Sequence, residues 1–498
     1  MKRQRYLYII LIFILAFTIV SYTNPANNHP ILIVDDYNGI DLDRINHYKI
    51  DVDFDPDTKS YSARQTVIYV NNTKEVLGEV YFHIYPNAYK SVETAPILFS
   101  NTTIDKKDYV PGYMEIMEVL VDKKTIDFQT KGTGGTILKL NLSDPIKPDE
   151  KMTIDFKYRV KLPLNVDRFG YGKDVFNFGN WYPIACVYDE DGWNLDPYYS
   201  IGDPFYSDTS NYDVTIRTSK DIIVATSGNI ISEKTKAKEK IYTIKGKLIR
   251  DFAWVASRDF IMKEKKADET TIKVYTMEKD PDMMDFSLEV GGDSIGIFNR
   301  IFGKYPYGVY SIVMTEFPTG MEYPGIVFIG KDYFNAHSKD ELEKIIVHET
   351  AHQWWYGVVG NDQIDEAWLD ESLASYSEVI YMAEKYGEAE GADYYDYFYH
   401  MNYEYGKALL STDTIINKPL NQFHSWNDYG LLVYIKGAMF LNEIKEDFGI
   451  EILYDILNKY YNRYKFHNGN TEGFIRICQE VTNTSFKQRI DRWLYGIE

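Results

Sequence analysis

Residues 47–54 alternate apolar and polar side chains one for one. Tyr48, Ile50, Val52 and Phe54 fall on one face, and His47, Lys49, Asp51 and Asp53 on the other. That period of two predicts a strand with one buried face. Stretches 66–70 and 80–85 repeat the pattern, and Asp55-Pro56-Asp57 and Asn71-Asn72 punctuate them as turns. Further short strands are predicted at 151–160, 212–217, 222–225 and 241–244. Many short strands separated by turn signals predict a large antiparallel sheet or sandwich over residues 45–260. Segment 176–206 is rich in Trp, Tyr, Gly and Pro and is predicted as a packed irregular excursion.

After residue 260 the period changes. Lys263-Glu264-Lys265-Lys266 is predicted as a connection. A strand at 272–275, a helix at 282–301 and strands at 310–314 and 326–329 follow. Helical periodicity then dominates, at 341–356, 367–386, 434–448, 449–464 and 471–481. The second half, 261–498, is therefore predicted as an α+β domain, a small sheet followed by many helices.

A chain of 498 residues is too long for one ordinary core and long enough for two or three domains. Its 54 Lys and Arg against 74 Asp and Glu leave a net charge of -20, which excludes a basic nucleic-acid footprint. The same charge steers cationic substrates weakly, and an acidic soluble surface accounts for it equally well. Cys186 and Cys478 form no C-x-x-C pair, and two buried free thiols are expected. The N-terminus is basic through Arg5 and then apolar without a charge over 6–22. Such a start predicts a secretion signal or signal anchor over 1–23, followed by a polar linker over 24–44. The remainder is then expected outside the cytoplasm, secreted or anchored to the membrane by that segment.

His348-Glu349-Thr350-Ala351-His352 is an H-E-x-x-H motif within a helical run. Residues four apart share a helix face, so His348 and His352 can aim ring nitrogens at one ion. Glu349 is rotated off that axis and can reach an activated water as general base. Eighteen residues separate His352 from Glu371, which lies in Trp368-Leu369-Asp370-Glu371 at the start of a second helix. Two imidazoles and a carboxylate form a ligand set suited to one Zn2+ ion, with water as the fourth ligand.

This combination resembles the aminopeptidase-N family of zinc metallopeptidases, in the gluzincin clan. Three further segments fit. Thr319-Gly320-Met321-Glu322-Tyr323 stands where that family has G-x-M-E-N, Tyr434-Ile435-Lys436-Gly437-Ala438 where it has Y-x-K-G-A, and 251–257 resembles the end of its N-terminal β domain. The resemblance implies an N-terminal antiparallel β domain followed by a thermolysin-like zinc peptidase domain. It also implies that the chain removes the first residue of peptides or proteins with a free N-terminus. Tyr434 would stabilise the oxyanion, and Glu322, carried by Gly320 and Met321, would pair with the substrate α-ammonium. Glu378, two turns beyond Glu371, would support a ligating histidine, with Asp370 and Asp365 as weaker candidates. Asn177 and Asn180 are expected at the first substrate pocket.

Two departures bear on activity. Thr319 replaces the first glycine of the amine loop and Tyr323 its asparagine. Fuller members also continue into a large helical domain, for which a chain ending at Glu498 has no room, so a more open cleft is expected. A zinc endopeptidase is the alternative enzyme, and a non-catalytic surface binding protein the alternative class.

Overall fold

A computed structural model describes residues 29–96, 107–409 and 413–497. The leader therefore lies outside the described residues, and so does the first part of the linker. Among the described residues no helix is long and apolar enough to cross a membrane.

The alternating segments pair as their pattern requires. Strand His47–Asp55 buries Tyr48, Ile50, Val52 and Phe54 on one face. It pairs antiparallel with Ser60–Val70 and parallel with Ser210–Ser219. These are central strands of an eight-stranded sheet that also contains Glu239–Ile249, Lys151–Lys161 and Tyr113–Val121. Two four-stranded sheets, one of them holding Phe176–Phe178 and Trp254–Ser257, and a two-stranded ribbon of Tyr188–Asp189 with Gly192–Trp193 complete this half. Phe178 and Trp254 stack at 3.6 Å between ring centroids, with Phe54 edge-on to both. Aromatic area of this size dominates the burial that holds such a core together.

The second half opens on a five-stranded mixed sheet in the order Ile261–Ala267, Thr270–Thr276, Val309–Thr315, Ile326–Gly330, Gly320–Met321. Its three inner strands run parallel and are buried throughout, Lys273 and several hydroxyl side chains included. The edge strand Gly320–Met321 is the amine-loop motif itself. Ten helices are described: α1 (Pro281–Ile301), α2 (Lys339–Ala351), α3 (Trp368–Tyr386), α4 (Glu388–Tyr395), α5 (Asn402–Gly406), α6 (Trp426–Tyr429), α7 (Gly437–Phe448), α8 (Ile450–Tyr464), α9 (Thr471–Thr482) and α10 (Lys487–Leu494). π-Helical turns at Asp396–Met401 and Gly430–Lys436 join α4 to α5 and α6 to α7. Asp280 caps α1 through the amides of Asp282 and Met283, with Pro281 opening the helix.

Several elements differ from the sequence pattern. The Lys263–Lys266 stretch is a strand, not a connection; it pairs with Thr270–Thr276 at the sheet edge. Exposed lysines are suited to an edge, where they discourage pairing with another chain. The strand expected through Tyr85 ends at His83, because Pro86 cannot donate to a ladder and a 3-10 turn forms over Tyr85–Lys90. The helix expected over 341–356 stops at Ala351, and the buried residues Trp354, Trp355 and Tyr356 continue in a turn. Tyr356 there takes φ 110°, a strained value for a side-chain-bearing residue.

Arg250 ties the two halves together. Its Nε donates to Tyr356 O at 3.0 Å and its Nη2 to His467 O at 3.2 Å, while Nη1 donates to Ser207 O and Asn468 Oδ1. Burial pushes the guanidinium pKa down, with the Asp208 carboxylate opposing. Arg250→Ala would leave buried carbonyls without donors, at about 1–3 kcal/mol each. The expected outcome is a clear fall in the urea midpoint of unfolding; an unchanged midpoint would show that the clamp contributes nothing to stability.

Candidate active site and metal centre

Contacts distant in sequence position α2 and α3. Thr350 Oγ1 donates back to Ile346 O at 2.6 Å and meets the Tyr310 hydroxyl of the sheet at 2.8 Å. Trp368, at the start of α3, donates its indole N–H to Thr471 at 2.8 Å. Trp355, beyond α2, donates to Ser377 on α3 at 3.2 Å. These buried contacts fix the two helices side by side.

The facing stripes bring His348, His352 and Glu371 together. The two Nε2 atoms are 3.1 Å apart, and Glu371 Oε2 lies 3.4 Å from that of His348 and 3.2 Å from that of His352. Each ring has its other nitrogen engaged: His348 Nδ1 with Glu378 Oε1 at 2.8 Å, and His352 Nδ1 with Trp355 O at 3.0 Å. A main-chain carbonyl and a carboxylate accept, so both Nδ1 atoms are donors and both Nε2 atoms face inward. Glu371 Oε2 is buried and has no hydrogen-bond donor. Tetrahedral ligands at about 2.05 Å from an ion stand about 3.3 Å apart, so this triangle fits zinc.

The electrostatics agree. Burial opposes charge on His348, yet hydrogen bonds to Glu371 and Glu378 outweigh it and hold the ring at about 9. Burial would raise Glu371, but the two histidines pull it well below the usual carboxylate range. The site is thus arranged to hold positive charge. Burial pushes Glu349 up to about 7, with the neighbouring histidines opposing, and its Oε2 has no partner. A carboxylate near neutrality can both accept and return a proton.

The amine-loop motif lies directly against Glu349. A Cβ at Gly320 would fall 2.0 Å from Glu349 Oε1, so this glycine permits the close approach. Met321 and Glu322 are buried, and Glu322 lines the cleft. Gln363 Nε2 approaches Glu322 Oε1 at 3.4 Å and also holds Asp370. Burial, then the Asp203 carboxylate, raise Glu322 well above the usual range. Tyr323 turns away from the cleft and donates to Asn180 Oδ1 at 2.7 Å, so the residue in asparagine's place reaches into the β half.

The Y-x-K-G-A segment has an equally local explanation. Tyr434 sits in a π-helical turn, donates to Glu371 Oε1 at 2.5 Å and stacks on His348. Such turns occur mostly at functional sites. Lys436 donates to Thr414 O and Trp493 O, and burial lowers it to about 8. A Cβ at Gly437 would fall 1.8 Å from Ser372 Oγ on α3, which makes glycine the close-packing choice.

Other expectations fare differently. Asp370 is buried near His352, but its hydrogen bonds go to Asn361 and Gln363. Asp365 is exposed. Asn177 and Asn180 do not line the cleft; Asn177 donates to Asp167 O, and Asn180 works behind the amine loop. Cys186 and Cys478 are buried free thiols. The sequence reading missed Arg168 and Asp203, a buried ion pair on the cleft wall. Asp203 follows Gly202 inside the aromatic excursion, and only the fold brings Arg168 to it. Tyr394, which donates to Glu378 Oε2, was also missed.

A helical pair thus presents two histidines and a glutamate beside a sheet edge, a set able to hold one metal ion. Residues 286–493 match the peptidase family M1 domain, and the chain carries that domain. It is similar to "Aminopeptidase RNPEPL1" of Homo sapiens, 31% identical over 39% of this chain and 29% of that protein. It is also similar to "Glutamyl aminopeptidase" of Bos taurus, 24% identical over 45% of this chain and 24% of that protein. The match thus spans under a third of these relatives' length. Among solved structures, a mutant M1 zinc metallopeptidase from Deinococcus radiodurans superposes with a TM-score of 0.64 at 15% identity, covering 91% of this chain and 94% of that one. The fold matches that of these two-domain structures, an N-terminal β domain and a mixed helical domain.

Removing charge from the acceptor of His348 Nδ1 weakens a ligand without touching it. Glu378→Gln is therefore expected to bind zinc about 10–100-fold more weakly in competition with a chelator. Equal zinc affinity in the variant would rule out this supporting role.

Proposed function

We propose that the chain is a zinc-dependent aminopeptidase, hydrolysing the N-terminal bond of peptides or proteins. The observation that carries this reading is the buried triangle of inward donor atoms on His348, His352 and Glu371, 3.1 to 3.4 Å apart. The relatives' names and the M1 domain support peptide substrates. A related structure of the same fold, the M1 zinc metallopeptidase mutant of Deinococcus radiodurans, is described as bound to a Tyr-Ser-Ala substrate.

His348, His352 and Glu371 would hold the zinc ion, which would supply Lewis acidity toward the scissile carbonyl and an attacking water. Glu349 takes the water's proton and delivers it to the departing amine. Tyr434 leaves Glu371 Oε1 and donates to the developing oxyanion. Glu322, with Gln363 behind it, receives the α-ammonium and sets the cut one residue from the end. The free side of edge strand Gly320–Met321 pairs with the extended substrate backbone. The basic start and apolar run of the leader support an extracytoplasmic site of action, secreted or anchored.

One observation favours endopeptidase action as a second reading. The cleft is large, about 1400 Å³, and continues well past the metal site. Paired peptides separate the two. Cutting of the free-amine peptide alone, abolished by a chelator and restored by zinc, is expected; equal cutting of its N-acetylated twin would make the enzyme an endopeptidase. Zinc binding with no hydrolysis of either peptide would leave a non-catalytic binding protein.

Tyr434→Phe deletes one oxyanion donor. Its kcat is expected to fall about 10²–10³-fold with zinc affinity retained. A kcat within threefold of the parent, or loss of zinc with the hydroxyl, would remove Tyr434 from this role.

A further inference from the structure

The cleft has two unlike ends. One holds Glu322, Asp203 and Arg168, the amine end of the proposed function. The other runs between the N-terminal half of α2 and the C-terminal half of α3, closed on its far side by α4 and the π-helical turn after it. On α3 the lining residues Glu371, Ser375, Glu378, Met382 and Tyr386 form one stripe at helical spacing. Fifteen residues at 1.5 Å each give a wall of about 22 Å beyond the metal ligand. An extended peptide rises about 3.3 Å per residue, so about six residues fit along it.

With the α-ammonium at Glu322, this second end offers the chain that follows the scissile bond a way out along α3. Its surface has a definite chemistry. Tyr386 and Tyr397 are exposed large aromatics on the rim, with Phe398 beside them. Asp340 and Glu341 on α2 and Glu390 on α4 are exposed and line the same stretch. Among the described residues none of these three carboxylates is in an ion pair. The one lysine there, Lys344, is engaged: its Nζ lies 3.9 Å from Glu378 and 4.2 Å from the Phe398 ring centroid. Glu343 is likewise engaged, by Lys385 and the hydroxyls of Tyr381 and Tyr386.

We propose that this groove is the subsite for the departing side of the substrate, selecting extended peptides with Lys or Arg among the residues after the cut. It rests on the aminopeptidase reading for its direction. Tyrosine faces bind the aliphatic stems and cationic heads of such side chains, and the unpaired carboxylates receive the charge. A chain of net charge -20 adds long-range attraction of the same sign.

The test uses zinc-loaded Glu349→Gln protein and C-terminally labelled free-amine peptides sharing one N-terminal residue. Lengths run from two to eight, with Lys or Glu at the later positions, and fluorescence anisotropy reads affinity. Affinity is expected to rise with length up to about seven residues and then level off. Lys peptides should bind about fivefold more tightly than Glu peptides per well-placed charge at low salt, a gap that salt narrows. Combined Asp340→Asn, Glu341→Gln and Glu390→Gln should erase that gap while length dependence persists. Affinity independent of length beyond the dipeptide, or equal for Lys and Glu peptides, overturns the proposal. Wild-type kinetics on the same peptides separate the two readings. Cutting that ignores length and charge leaves the aminopeptidase standing without the groove. Length-dependent binding with no cutting by the wild type leaves the groove and removes the aminopeptidase.

Discussion

Each imidazole of the metal site has one nitrogen committed away from the centre, and the rest of the site depends on that commitment. If His348 did not give its Nδ1 proton to Glu378, or His352 to the Trp355 carbonyl, either ring could turn or change tautomer. The carbonyl is available only because α2 stops at Ala351 and the chain turns, which frees the Trp355 oxygen from helical pairing. Early termination of that helix is thus part of the ligand geometry. Glu378 is held in turn by Tyr394 and approached by Lys344, so the constraint extends from the ligand to the groove wall.

Concentrating carboxylates in this way costs desolvation, and the structure offsets it locally. Glu322, Asp203 and Asp370 are all raised by burial. Asp203 is countered by Arg168, and Asp370 by amide donors of Asn361 and Gln363. Glu371 and Glu378 instead keep their charge, because protonated histidine or a cation faces them. Buried charge without a partner would cost several kcal/mol. On the proposed function, a divalent ion between the two imidazoles and a substrate ammonium near Glu322 would be the positive groups that balance this arrangement.

The parts legible in the sequence were those encoded at short range. Two histidines four apart and a glutamate two helical turns before Glu378 carry their geometry in their spacing. Strand His47–Asp55 declared its buried face by strict alternation. Arg168 and Asp203 gave no signal, because 34 positions of loops and very short strands separate them and neither lies on a periodic element. The α4–α5 stretch escaped for a related reason: tyrosines crowd both faces of it, so no single apolar stripe stands out. Lys263-Glu264-Lys265-Lys266 misled because charge was read as a connection, whereas on an edge strand the same charge is protective.

The altered amine loop shows how the two halves act on one another. In place of asparagine, Tyr323 extends its hydroxyl to Asn180 of the β half, and Asn180 contacts Asp251, which also accepts from Tyr356. Gly179 leaves the room; a Cβ there would fall 1.9 Å from the Tyr323 hydroxyl. Gln353, one residue beyond the second histidine, donates to the Tyr323 carbonyl and accepts from Gly325. Glu322 is therefore suspended between two anchors, one on each half. A side chain large enough to cross the boundary takes over, by reach, the positioning that a short amide would perform locally. Any shift between the halves would then move Glu322 relative to His348, His352 and Glu371. On the aminopeptidase function proposed above, selection of a free N-terminus would be tied to the packing of the two halves, with Asn180 and Tyr356 as the residues that transmit it.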